Sequence, residues 1–386
     1  MTHIITRDAN EIMLLRSIIE NQPISRADLA KLNKLNKTTT SAIINQLLDE
    51  HLVFESGVGS STFTGGRKPI LLEFNPKAAV VISIELGENY IRSAFSYLDG
   101  QLIHHDLMEN VSFTSESIYG ILVTIINGHI GLMPTTPNGL VGITIAVHGV
   151  ALNNKLTFSP FYDLDDIELA DMLRHQFKCP VYIENEANLA AIGEYTFSTD
   201  KDRIVNVNIK TGIGAGIIQF GTLLKGTHGR FGEIGHTIIF PGGRPCPCGN
   251  LGCLERYAST KALMNSIKNR TGVQDLDIET IVGLWEDKNE VIVDEITMAV
   301  DYLSVGINNL ITSFDPDEII INSMLFNKIP LLINLLSSKL KSRITKETKL
   351  SVSKLTDKAT LYGGIAVVTS DYLCIENLKF LDNVYL

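Results

Sequence analysis

The chain has 386 residues, 45% of them hydrophobic and 20% charged, which is the composition of a well-cored globular protein of two or three domains. A formal net charge of −10 excludes a protein that coats nucleic acid over its whole surface. The stretch MTHIITRDANEIML has no apolar segment with a cleavage site, and no apolar run approaches the ~18 residues that cross a bilayer, so a cytoplasmic protein without a membrane partner is expected.

The charge is uneven. Residues 1–70 carry eight Lys/Arg and seven Asp/Glu, a net of +1, and the remainder carries a net of −11. A near-neutral head on an acidic body suits a small DNA-reading module. Ile12, Leu15, Ile18 and Ile19 recur at helical spacing over 10–21, and Pro23 stops that helix. Ser25 with Asp28 makes a capping-box pattern for a short second helix striped by Leu29, Ala30 and Leu32. Residues 33–36 make the turn, and Asn36 caps a third helix over 37–50 that buries Ile43, Leu47 and Leu48.

A recognition helix reads base edges from its first turns. Here those turns offer Lys37, Thr38, Thr39, Thr40 and Ser41, with Asn45 two turns on. Short hydroxyls position a backbone near the groove floor but specify weakly. The glycine-rich stretch 57–66 between two strands reads as a wing, with Arg67 and Lys68 placed for phosphate or minor-groove contact. Arg26 joins these residues as a DNA-binding candidate. The alternative is a plain three-helix bundle with a solvated polar face.

From residue 78 strands alternate with helices. Residues 80–85 and 90–95 are strands, and Asp99-Gly100 turns the chain before Leu102. A helix is expected over 117–132, then a strand over 140–147 ending at His148-Gly149. Residues 181–184 lead into Asn185-Glu186-Ala187-Asn188 and a helix. Residues 204–209 lead into a glycine turn, Thr211-Gly-Ile-Gly-Ala-Gly216, and a further strand. Such a turn can present backbone N–H groups to a phosphate, although glycines mark any tight turn. On their own, Asn185 and Asn188 read as helix caps, Glu184 as a strand-end acid, and His104-His105 as surface. Asp315-Pro-Asp317 turns into a strand at 318–321, and residues 365–373 form a helix packed back on the first lobe.

The most informative stretch is His236-x9-Cys246-Pro-Cys248-Gly-Asn-Leu-Gly-Cys253-Leu-Glu255. It puts three thiols and one imidazole within eighteen residues, one of the usual donor sets of a structural zinc site. The glycines and Pro247 supply the turns that let the thiolates converge. Glu233 and Glu255 flank the donors as oxygen groups that a closed site does not need, so the cluster reads as a braced corner of a pocket. The alternative is three scattered thiols and a core histidine. Cys179 and Cys374 read as buried free thiols.

In this order, the winged head, the hairpin strands, Glu184-Asn-Glu-Ala-Asn188, the Gly-x-Gly-x-Gly turn, Gly232-Glu-x-Gly-His236 and the cysteine block resemble the ROK family of repressors and sugar kinases. The resemblance runs over nearly the whole chain. It implies an α/β fold with an N-terminal winged helix-turn-helix (1–76) and a two-lobed actin/hexokinase-like sugar-binding domain (77–200 with 365–386, then 201–364). It implies structural zinc on His236, Cys246, Cys248 and Cys253, and a monosaccharide between the lobes on Asn185, Glu186, Glu233, His236 and Glu255. Within the family, Pro23-Ile-Ser-Arg-Ala, Leu35-Asn-Lys-Thr and glutamate at 186 are most similar to the xylose-responsive repressors of low-GC Gram-positive bacteria.

A kinase of this family carries Asp-x-Gly-Gly-Thr in the first hairpin. The matching stretch here is Glu85-Leu-Gly87-Glu88-Asn89. A carboxylate 4 Å from a phosphate charge costs ~4 kcal/mol at an effective dielectric of 20. The expectation is therefore a dimeric repressor, not an enzyme, that holds palindromic operator DNA until xylose enters, closes the lobes and re-aims the heads. The alternatives are an ATP-dependent sugar kinase, or a repressor sensing glucose, fructose or an amino sugar.

Overall fold

The computed structural model describes residues 7–59, 68–159, 161–164, 167–273 and 275–381. The chain divides into two compact units, one reaching to Glu184 and resuming at Gly364, the other spanning Asn185–Gly363. No helix among the described residues is long and apolar enough to cross a membrane.

The first unit begins with α1 (Ala9–Asn21), β1 (Ile24–Ser25), α2 (Arg26–Leu32), α3 (Lys37–Asp49), β2 (Val53–Val58) and β3 (Ile70–Phe74). Each helix starts where a side chain satisfies its orphan N–H groups. Asp8 accepts from the backbone of Asn10 and Glu11, Ser25 from Asp28 at 3.1 Å, and Asn36 from Thr39 at 2.8 Å. Leu14, Leu15, Ile18, Leu29, Ile44 and Leu47 are fully buried between the helices. Leu32, expected in the apolar stripe, turns outward instead. β3 pairs antiparallel with both β2 and β1, so the ribbon gains a short third strand that no periodicity announces.

The same unit continues with β4 (Val80–Leu86), β5 (Tyr90–Tyr97), β6 (Leu102–Glu109), α4 (Ile118–Leu132), β7 (Leu140–Val147), β8 (Val150–Leu152), β9 (Lys155–Phe158), α5 (Leu169–Phe177) and β10 (Val181–Asn185). Its sheet runs β10-β7-β4-β5-β6. β4 is parallel to β7 and antiparallel to β5, and all its residues are buried, as a strand covered on both faces requires. Val80, Ile82, Ile84 and Phe95 form the core with Leu122 and Ile126 of α4.

The second unit comprises α6 (Glu186–Phe197), β11 (Ile204–Ile209), β12 (Ile213–Gln219), β13 (Thr222–Leu223), α7 (Glu255–Ala258), α8 (Thr260–Thr271), α9 (Ile278–Glu286), α10 (Glu290–Phe314), β14 (Glu318–Asn322), α11 (Met324–Lys328), α12 (Leu331–Lys339) and β15 (Lys349–Val352). The sheet order is β13-β12-β11-β14-β15, with β14 parallel to β11 and β15. Ile319 and Ile321 pack with Val205, Val207 and the inner face of α10. Buried Glu318 is compensated by Thr199 (2.7 Å), Ser351 (2.6 Å) and Lys349 (2.8 Å). A last helix, α13 (Ala359–Leu373), begins in this unit and from Gly364 onward belongs to the first, where the Thr144 hydroxyl donates to the Gly364 carbonyl at 2.9 Å.

Two further features differ from the sequence reading. The division falls at Glu184–Asn185, so α6 belongs to the second unit and not, as expected, to a first lobe ending at residue 200; α6 lies on β11 and β12. The expected glycine turn is shorter than its glycines suggest. Only the chain around Lys210–Gly212 turns, while Gly214 and Gly216 lie inside β12, paired with Asn208 and Asn206. A Cβ on Gly216 would sit 2.4 Å from Ala191 Cβ and 2.5 Å from the Ala187 carbonyl oxygen. That glycine serves close helix-on-strand packing. Gly216→Ala is expected to cost about 1–3 kcal/mol by overpacking, measured by urea unfolding, because the obstructing atom is helix backbone.

Candidate functional site

The second unit gathers its candidate groups at the start of α6, the chain before α7 and the loop between them. Asn185 caps α6, accepting from the backbone of Ala187 (2.8 Å) and Asn188 (3.0 Å), and its amide donates to Glu186 Oε2 at 2.9 Å. The cap thus also orients the carboxylate. Glu233 precedes a 3₁₀ turn over Ile234–His236 that places His236 between two glutamates. His236 Nε2 lies 3.9 Å from Glu233 Oε2, and its Nδ1 lies 3.8 Å from Glu255 Oε1. Burial raises the Glu233 carboxyl above its ordinary range, the Glu186 and Glu255 charges push the same way, and His236 opposes them. Asn185, Glu186, Glu233, His236 and Glu255 therefore form one acidic, acceptor-rich cluster within a single unit.

The cysteine loop braces one side of it. Cys246 Sγ is 3.6 Å from His236 Nδ1 and 3.1 Å from Glu255 Oε1; Cys248 and Cys253 sulfurs are 3.7 Å apart. Donor atoms of His236, Cys246, Cys248 and Cys253 all lie within 4.8 Å of one another, a set that can hold a metal ion. Burial pushes the Cys246 and Cys253 thiols up. Cys248, against its own desolvation, is held lower by hydrogen bonds from the Asn250 backbone and the neighbouring thiols. Gly252 makes the loop possible. It has φ +88°, and a Cβ there would lie 1.7 Å from the Phe240 carbonyl oxygen.

The hairpin between β4 and β5 forms a separate polar cluster in the first unit. Glu85 is fully buried and pairs across the strands with Arg92. Its carboxylate accepts from Tyr90 Oη (2.8 Å) and lies 3.3 Å from Arg92 Nη1 and 3.2 Å from His148 Nε2. The Tyr90 ring packs over Gly87 so closely that a Cβ there would meet Cε1 at 2.1 Å. Glu88 is exposed in the same turn. The sequence reading singled out Glu85, Glu88 and His148 but missed Tyr90 and Arg92. A lone acid in an apolar strand, with an arginine equally far beyond the turn, was the available signal.

In the head, Lys37, Thr38 and Asn45 are exposed and Thr39 and Ser41 half-buried. Arg26 Nη1 donates to Asn45 Oδ1 at 2.9 Å, which ties α2 to α3 at this face, and its Nη2 approaches Glu55 Oε1 of β2 at 3.6 Å. Thr40 does not belong with them. It is fully buried and its hydroxyl donates to the Asn36 carbonyl at 3.0 Å, because one position per turn of an amphipathic helix must face inward. Lys68 is exposed, and Arg67 lies outside the described residues.

Residues 81–371 match the ROK family. The chain is 36% identical to the xylose repressor of Bacillus spizizenii over 382 residues, covering 96% of this chain and 98% of the relative. Among solved structures, a ROK family transcriptional regulator described as a homologue of the E. coli MLC protein superposes with a TM-score of 0.82 at 26% identity, over 94% of this chain and 96% of the other. A ROK family glucokinase from Streptomyces griseus, solved with glucose and AMPPNP, superposes with a TM-score of 0.66 at 23% identity, over 75% of this chain and 98% of its own. From the loop geometry, Gly252→Ala is expected to cost more than about 1 kcal/mol and to weaken metal uptake by the cysteine cluster, read by chemical denaturation and by metal content after dialysis.

Proposed function

The chain belongs to the ROK family, and from that premise we propose that it is a xylose-responsive repressor that binds palindromic operator DNA as a dimer and releases it when the sugar binds. The observation that carries this reading is coverage. A repressor relative and a regulator structure each match at least 94% of this chain, whereas 98% of the glucokinase is matched by 75% of it. The residues 1–76, with their capped helices and β-ribbon, serve as a winged helix-turn-helix domain. Arg26, Lys37, Thr38, Thr39, Ser41, Asn45 and Lys68 face the duplex, Arg67 is assigned to the same interface from its place in the sequence, and half-sites lie about one or two helical turns apart. The protein works in the cytoplasm, where its operator is.

Xylose is held by Asn185, Glu186, Glu233, His236 and Glu255. Ionised carboxylates only accept hydrogen bonds, and a neutral polyol supplies several donors without adding charge. Structural zinc is held by His236, Cys246, Cys248 and Cys253. Bonds of about 2.3 Å to sulfur and about 2.0–2.1 Å to nitrogen space tetrahedral donors about 3.5–3.8 Å apart, and the sulfur–sulfur and sulfur–nitrogen separations of 3.7 and 3.6 Å fit. When bound, the ion supplies a rigid cross-link of the loop. His236 then presents Nε2 toward Glu233 and the sugar.

Sugar phosphorylation is not supported. The Glu85 carboxylate is already engaged by Tyr90, Arg92 and His148, and the Tyr90 ring covers the Gly87 backbone that a phosphate would approach. ATP with xylose or glucose is expected to yield no ADP above background in a coupled assay.

Gel shifts with a palindromic operator, with and without xylose, test the central reading; occupancy indifferent to sugar would overturn it. Lys37→Glu is expected to weaken operator binding at least tenfold while leaving xylose affinity, by calorimetry, unchanged. Cys248→Ser is expected to lower zinc content and leave a protein that binds operator but no longer responds to xylose.

A further inference from the structure

The first unit carries a second set of metal-type donors. His104 and Asp106 are two residues apart on β6 and so lie on one face of the sheet. In the ladder with β5, His104 is opposite Phe95 and Asp106 is opposite Ser93. α4 packs on β5 and brings His129 to the same place. His129 Nε2 is 2.8 Å from Ser93 Oγ, the His104 and His129 rings meet edge-on with centroids 5.8 Å apart, and His104 Nε2 is 2.9 Å from Asp106 Oδ2. Donor atoms of the three residues all lie within 4.8 Å of one another.

We propose that His104, Asp106 and His129 bind a divalent transition-metal ion at a site independent of the cysteine cluster. Two imidazoles and one carboxylate are a zinc- or iron-type donor set; magnesium and calcium take oxygen ligands. His129 is 2% exposed and held by Ser93, the kind of outer hydrogen bond that fixes the angle of a metal-bound ring. Phe95 borders both imidazoles, with centroids 5.2 Å from His129 and 6.0 Å from His104, and supplies an apolar wall. His104 and Asp106 are the more exposed pair, with side chains 38% and 55% accessible, so they can close on an ion while the buried ring stays fixed. Three protein donors leave a coordination position for water on the open side. The paired histidines at 104 and 105 have different fates: His105 faces solvent and His104 faces α4.

Cobalt(II) titrated into the full-length protein separates the two donor sets. Binding at thiolates adds sulfur-to-metal charge transfer in the near ultraviolet, whereas binding at imidazoles and a carboxylate adds visible d–d bands alone. We expect a thiolate-free component that saturates at one equivalent per chain and is displaced by zinc. His104→Gln and Asp106→Asn should each weaken it by more than the ~10–100-fold typical of losing an outer-shell partner. Both positions are accessible, so both variants should keep the wild-type far-ultraviolet spectrum. Absence of the thiolate-free component in the wild type, or its survival unchanged in both variants, overturns the assignment. Neither result bears on operator release by xylose, so the two readings stand or fall separately.

Discussion

Three carboxylates share one small region of the second unit, and the arrangement around them follows from that crowding. Glu186, Glu233 and Glu255 repel one another, and one imidazole, His236, answers them. The backbone holds them together regardless. Asn185 caps α6 and orients Glu186, a 3₁₀ turn carries Glu233 and His236, and Glu255 opens α7 two residues after Cys253 of the cysteine loop. A cluster built this way disfavours anions and favours a neutral ligand rich in hydroxyl donors. The chemistry of the proposed ligand class is thus set by charge before any question of shape arises.

The first unit solves the opposite problem. A fully buried carboxylate there, Glu85, is matched within the unit by a phenol, a guanidinium and an imidazole. A buried charge kept in this way is costly to disturb, since removing one partner leaves the others uncompensated. One fold therefore contains three carboxylates grouped around one imidazole and, elsewhere, one carboxylate held among three donors. That asymmetry fits the proposed role of the second unit's cluster in holding a sugar.

Much of this was legible in the chain. The helices of the head announce themselves through Ser25, Asn36 and their apolar spacing, and the buried strands through apolar runs such as 80–82 and 319–321. The cysteine block was readable because close-spaced thiols with turn residues have few other uses. What resisted was whatever depends on a partner distant in sequence. β1 is too short for any period and exists because β3 offers it an edge. Gly216 looked like a turn residue but makes room for α6. Thr40 looked like a base-reading hydroxyl, yet its place in the turn of α3 sends it inward. His129 gave no sign of itself, because its neighbours lie on strands 23 and more residues away.

By itself the sequence determined the element types, the donor set of the cysteine loop and the resemblance to a family of regulators and kinases, since caps, periods and ligand spacing are local properties. Only the tertiary structure decided which acids converge on His236, that Glu85 is neutralised from within, and that α6 belongs with the second unit. Those outcomes rest on pairings between distant strands and on close helix packing over glycine, and long-range contacts of that kind leave no periodic trace in the chain.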